Sequence, residues 1–147
     1  MNNDFRFTRE PLDLQSAYDL GTDSGQGAVV IMVGTVRTST GGRAVAFLDY
    51  EAYEPMALAV FEQIAAEIRS RWPATGRIVV HHRLGRLAIG EASVIVAVGN
   101  AHRADAFAGC QYAIDALKRD APIWKKEHWA DGNSDWVTGS LLLSAQG

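Results

Sequence analysis

All three lysines of the chain, Lys118, Lys125 and Lys126, fall in one stretch, LKRDAPIWKKE, while its eleven other basic residues are arginine. Arginine stays protonated at any physiological pH, whereas a lysine ammonium gives up its proton when desolvated or set beside another cation. The segment is therefore suited to proton transfer or amine chemistry. A plainer reading competes with this one: lysines at a solvated helix end, where cations suit the helix dipole. Two further sites gather cations where elements end. Arg37 closes the strand-like run GTVR, and His102 with Arg103 precedes a helical segment whose free backbone N–H groups suit an anion. The plainer alternatives there are a capping or packing histidine and a solvated arginine.

Spacing constrains how these groups can combine. Arg103 and Lys118 lie fifteen residues apart on one expected helix, which separates their backbones by roughly 22 Å. A small phosphorylated substrate does not span that distance. Either the two ends come from two copies of the chain, or one cluster is not functional. In a regular strand over IWKKEHW, Ile123, Lys125 and Glu127 face one side and Trp124, Lys126 and His128 the other. Lys125 and Lys126 then cannot enter the same pocket, and one of them is peripheral.

Other combinations are weaker. His81 and His82 are adjacent on a strand and point to opposite faces. With one cysteine and no HxH or HExxH pattern, a metal site is not expected. Cys110 falls on an apolar helix stripe and reads as core. Asp49 and Glu51 form a carboxylate pair at strand spacing, a pattern that more often marks solvated or ion-paired groups. Gly41-Gly42 lacks the phosphate-loop pattern and reads as a flexible turn within a mobile loop, TSTGGR.

The elements that must position these residues follow from periodicity. A short helix is expected near Asp13 to Leu20, then a buried strand over Gly27 to Arg37 and a second over AVAFLDYEAY. From Glu54 to Trp72 the apolar positions Ala57, Phe61, Ile64, Ala65, Ile68 and Trp72 mark one face of a helix that Pro73 ends. RIVVHHRLG and ASVIVAVGN are strands separated by a turn at Ala88 to Glu91. A second long helix runs from about Arg103 to Arg119, with Phe107, Cys110, Ile114 and Leu117 as its inward stripe. It stops before Ala121, which Pro122 pushes toward extended geometry. IWKKEHW and SDWVTGS complete the strands. The expectation is one domain over 1–147, an α+β fold with two main amphipathic helices on a mostly antiparallel sheet.

Bulk properties exclude several classes. With 147 residues, 48% of them hydrophobic, and a net charge of −3, the chain can bury a core and lacks the basic face of a nucleic-acid or membrane-surface protein. The start MNNDFRFTREP has no apolar signal-peptide core, and no apolar run is long enough to span a bilayer. The single cysteine fits a reducing compartment, so a cytoplasmic protein is expected.

Taken in order, GTVR, LDYEAYEPMA, VHHRLG, AHRADAF and LKRDAPIWKKE resemble the large, catalytic subunit of molybdopterin synthase, over about Gly27 to Val137. The resemblance implies a hammerhead-like α+β fold and sulfur transfer in molybdenum-cofactor biosynthesis. The implied substrate is cyclic pyranopterin monophosphate, which gains two sulfurs to become molybdopterin. The implied sulfur donor is a small ubiquitin-like subunit whose C-terminal Gly-Gly carries a thiocarboxylate. Two large subunits form a homodimer within a heterotetramer, and no cofactor is implied. By position, Lys118 and Lys125 match the two active-site lysines. Arg37, with Thr35 and Val36, matches the strand-end substrate contacts, and His102 and Arg103 match an anchoring pair from the neighbouring subunit. Lys126 and Glu127 fall in the matching substrate-contact block. The resemblance implies an aromatic at the position of Met32, at the expected pocket wall. The tail after Trp136 is short and rich in small or apolar residues, without the basic and polar ending that the resemblance implies for some relatives. Two alternatives remain at this level: another transferase or hydrolase on a phosphorylated heterocycle, and a non-catalytic scaffold that accepts a ubiquitin-like tail.

Overall fold

A computed structural model describes residues 2–138, and the tail from residue 139 onward lies outside the described residues. In chain order the elements are β1 (Asn3–Thr8), α1 (Leu14–Gly21), β2 (Ala28–Thr35), β3 (Ser39–Thr40), β4 (Arg43–Ala52), α2 (Glu54–Arg71), β5 (Thr75–Arg83), β6 (Gly85–Ala88), β7 (Ala92–Asn100), α3 (Arg103–Asp120), β8 (Ile123–Trp129) and β9 (Ser134–Thr138). The fold is α+β with mostly antiparallel strands, as the periodicity predicts.

The first sheet has the order β1-β5-β7-β2, and β1 runs parallel to β5 while the other pairs are antiparallel. Alternation along its central strands supplies two buried faces. Ile78, Val80, Val94, Val96 and Val98 pack with Phe61, Ile64 and Ile68 of α2 and with Cys110, Ala113 and Leu117 of α3. Val79, Ile95 and Ala97 pack on the opposite side against Ala17 of α1. The second sheet has the order β3-β4-β8-β9, with β6 also paired to β4. It encloses a smaller core of Val36, Val45, Leu48, Leu87 and Trp129.

The helices begin and end for local reasons. The Asp13 carboxylate caps α1 by accepting from the Ser16 N–H at 3.2 Å. Pro55 sits in the first turn of α2, where its missing N–H costs nothing. Ala121, before Pro122, has φ −77° and ψ 135° and ends α3.

Four local expectations are corrected. The segment NDFRFT, left without an element above, is the edge strand β1; Phe5 and Phe7 turn inward onto Phe61, with ring centroids 5.8 and 5.6 Å away. β6 forms before the turn and pairs with β4. The TSTGGR segment is a two-residue hairpin rather than a loose loop. Gly41 and Gly42 take φ of 58° and 82°, as a tight turn with two left-handed positions requires. Finally, Phe107 is 64% exposed and does not belong to the inward stripe of α3. Small residues fill that stripe and bring the helix close to the sheet: a Cβ on Gly109 would stand 3.0 Å from Val98 Cγ1. The bulky Phe107 is left on the flank, beside Val30 and Met32 of β2.

Candidate active site

β7 leads into α3, and α3 packs back along the same sheet. The start of α3 therefore lies at the sheet end marked by Asn100, which pairs with Ala28 and Thr75. Its last turn, with Lys118, lies at the other end, where Thr35 pairs with Ala92 and His82 with Val94. Arg37 follows β2 at that same end. β8 then brings Lys125 back in, opposite Tyr50 in the β4–β8 ladder. The sequence thus folds Arg37, Lys118 and Lys125 into one electrostatic neighbourhood, and both Lys118 and Arg37 act on the Lys125 amine.

Three residues that the sequence did not assign to a site, Tyr50, Ser93 and His82, complete this one. Tyr50 is mostly buried, and its hydroxyl bonds to Ser93, whose own hydroxyl donates to the Gly34 carbonyl at 3.3 Å. The His82 ring lies edge-on to Tyr50, with centroids 5.0 Å apart. Its Nδ1 donates to the Arg83 carbonyl at 2.8 Å, which leaves Nε2 as an acceptor. A sequence signal existed for them: Tyr50 shares the strand face of Leu48 and Ala52, and His82 continues the inward series Ile78, Val80.

The electrostatics single out Lys125. Burial lowers its pKa from the ordinary lysine value, Lys118 and Arg37 lower it further, and Glu127 opposes them. The main cause is thus desolvation rather than the neighbouring cations, and the shift falls on Lys125. Arg119, next to Lys118 in the chain, is paired with Asp120 at 3.0 Å. Burial also drives His82 down to about 4, with Lys118 adding to the effect. The imidazole is neutral at pH 7. Burial pushes the Cys110 thiol up to about 11, and its Sγ lies 3.7 Å from the Val96 carbonyl oxygen. Cys110 is a core residue.

The family model for the MoaE protein matches residues 7–120 of this chain. The chain belongs to the MoaE family. A relative named molybdopterin synthase catalytic subunit, from Nostoc sp., is 58% identical over 147 residues, covering 99% of this chain and 89% of its own length. A protein of the same name from Bacillus subtilis is 40% identical over 141 residues, 96% of this chain and 88% of that one. The crystal structure of molybdopterin synthase from Staphylococcus aureus superposes with a TM-score of 0.85 at 41% identity, covering 90% of this chain and 96% of that one.

Within this MoaE-family fold the expected site residues divide. Arg37, Lys118 and Lys125 converge, and Thr35 is exposed beside them. Val36 turns its side chain into the small core, and its N–H and carbonyl are taken by Glu91 and Gly90. Lys126 stands on the other face of β8, its Nζ 5.5 Å from the centroid of the Trp136 ring. That face also carries Asp49, bonded to His128 at 2.9 Å, which accounts for one member of the carboxylate pair. Glu127 shares the face of Lys125 and is buried. His102 and Arg103 are exposed at the far end of α3 and do not reach the lysines within one chain. Met32 lines a groove with Val30, Phe107 and Ile114, so it is no wall of the lysine site.

Proposed function

We propose that this chain is the catalytic subunit of a molybdopterin synthase. It transfers sulfur from the thiocarboxylated C-terminus of a small ubiquitin-like subunit to cyclic pyranopterin monophosphate. The observation that carries the reading is the half-buried Lys125, its pKa lowered by that burial, held beside Lys118 and Arg37 at one end of the sheet. Attack by the thiocarboxylate sulfur forms a carbon–sulfur bond as a carbon–oxygen bond of the cyclic phosphate breaks. Water then cleaves the acyl–sulfur bond, which releases the carrier's C-terminal carboxylate, leaves the sulfur on the substrate and sets a proton free. An amine of lowered pKa delivers or accepts a proton more readily than an ordinary lysine. The planar fork of Arg37 holds phosphate oxygens. A docking groove for a ubiquitin-like tail would need no titratable amine. Among the described residues no helix is long and apolar enough to cross a membrane. The single cysteine, Cys110, fits a reducing compartment, and on that ground we place the reaction in the cytoplasm.

The anchoring pair, His102 and Arg103, comes from a second copy. β2 is an edge strand of the first sheet, with Val33 39% and, near it, Phe107 64% exposed. Leu14, Tyr18, Ile31 and Val33 form an apolar groove on one side, and Val30, Met32, Phe107 and Ile114 form one on the other. A two-fold axis between Ile31 and Met32 sets two β2 strands antiparallel, with Ala28 of each beside Thr35 of the other. Because Ala28 pairs with Asn100, that arrangement carries the partner subunit's His102 and Arg103 toward Arg37 and Lys118.

The test is reconstitution with thiocarboxylated small subunit and cyclic pyranopterin monophosphate, read by mass. Wild-type protein yields a dithiolene product and Lys125→Ala, still folded, does not. Tail binding without product from wild-type protein would establish the scaffold reading instead.

A further inference from the structure

Glu127 does not behave as a substrate contact. It is 1% exposed, and its Oε2 has no hydrogen-bond partner. Burying an unpaired carboxylate is costly unless charge nearby compensates it. The compensation is at hand. Glu127 and Lys125 are two residues apart on the same face of β8, opposite Leu48 and Tyr50 of β4, and the Glu127 charge is felt at both Lys125 and Tyr50.

The other acids near this end of the fold are engaged elsewhere. Asp135, opposite Glu127 on β9, accepts from Trp129 Nε1 at 2.8 Å and lies 3.6 Å from Arg43. Glu91 holds Arg83 at 2.6 Å and Asp120 holds Arg119 at 3.0 Å. Asp49 is on the opposite face with His128. Lys125 is therefore faced by Lys118 from α3, Arg37 after β2, Tyr50 from β4, neutral His82 from β5 and a single buried acid.

We propose that Glu127 is a positioning residue for Lys125: its buried carboxylate is the counter-charge that keeps this amine in place among the site's cations. Its buried Oε2, with no other partner, is an acceptor on the same strand face as the amine. Without it, three positive charges would crowd a half-buried pocket with nothing to balance them, and the Lys125 side chain would be driven toward solvent. The catalytic weight of this role rests on the function proposed above, but the charge relationship is measurable without any turnover.

The chain has three lysines, so lysine labelled with 13C at Cε gives three resonances whose titrations can be followed separately and assigned with Lys126→Arg and Lys118→Arg. In the wild-type protein the Lys125 resonance titrates below the ordinary lysine value. In Glu127→Gln it moves down by a further pH unit or so, while Lys126, on the other face, does not move. Glu127→Asp keeps the charge and keeps the Lys125 midpoint within about 0.3 unit of wild type. A folded Glu127→Gln whose Lys125 titrates as in wild type overturns the proposal. So does a Glu127→Asp variant that shifts Lys125 by a full unit, and this second variant decides the matter if the glutamine protein does not fold. In the reconstituted enzyme the limb of the pH–rate profile that reports Lys125 moves to lower pH with Glu127→Gln. A raised KM with an unmoved profile would make Glu127 a substrate contact and also overturn the proposal. An inactive wild-type protein with a shifted Lys125 titration would sink the proposed function and leave this relationship standing.

Discussion

Lys125 and Lys126 are adjacent in the chain and stand on opposite faces of β8, the first opposite Tyr50 in the site and the second over the Trp136 ring. Their contributions should separate cleanly. Lys125→Ala removes the proton-handling amine and should lower turnover by about 10²-fold or more. Lys126→Ala removes a partly exposed cation–π contact and should leave turnover within about threefold and cost at most ~1 kcal/mol of stability. Single-turnover assays on the two variants check this, and equal losses would mean that β8 is bulged so as to bring both amines into one pocket.

The separation of Arg103 from Lys118 along α3 makes a second prediction. Dimers of Arg103→Ala and dimers of Lys118→Ala should each be nearly inactive. Mixed and allowed to exchange subunits, they form hybrids in which one site carries both defects and the other carries neither. Activity should then recover to about a quarter of wild type, from half of the dimers having one of two sites intact. No recovery after verified exchange would show that the two clusters serve different sites.

The apolar edge at β2 supplies a third. Val33→Arg and Phe107→Asp change exposed side chains, so the monomer should keep its fold and its circular dichroism. Burying either charge at a two-fold contact is unfavourable, and the dimer should dissociate at micromolar concentration in sedimentation experiments. Activity should fall with it, because each monomer loses the anchoring pair. A variant that stays dimeric and active would move the interface away from this face.

Much of this architecture was legible in the residues. The stripe from Ala57 to Ile68 and the strand runs over Ile78–Val80 and Val94–Val98 place the core, and Pro122 places the break between Lys118 and Lys125. Strand alternation correctly set Lys126 apart from Lys125. What escaped depends on partners far away in sequence. NDFRFT has only weak strand character by itself and becomes β1 because β5 offers it an edge. Phe107 looks inward by helical spacing, yet Ala106, Gly109 and Ala113 claim the close contact with the sheet. Val36 and Glu127 sit within matching motifs, and only the three-dimensional arrangement shows that one feeds the small core and the other faces an amine.

The buried imidazole of His82 makes the last prediction, on stability against pH. Burial lowers its pKa from 6.5 to about 4. Between those values the unfolded chain binds a proton at this position that the folded chain does not. Stability is therefore full above about pH 6.5 and falls as pH drops toward 4. A shift of this size corresponds to about 3 kcal/mol once the lower limit is passed. His81, whose pKa burial also lowers although its bond to Asp4 opposes this, adds a loss of the same sign. His82→Asn retains a donor for the Arg83 carbonyl and has no titrating ring. Urea denaturation of both proteins at fixed concentration across pH 4 to 7.5 should show the wild type losing stability more steeply than the variant as the solution is acidified. Parallel curves would mean that His82 is hydrated and charged in the folded state, and the packed wall that it forms with Tyr50 and Phe7 behind the lysines would have to open to admit that water.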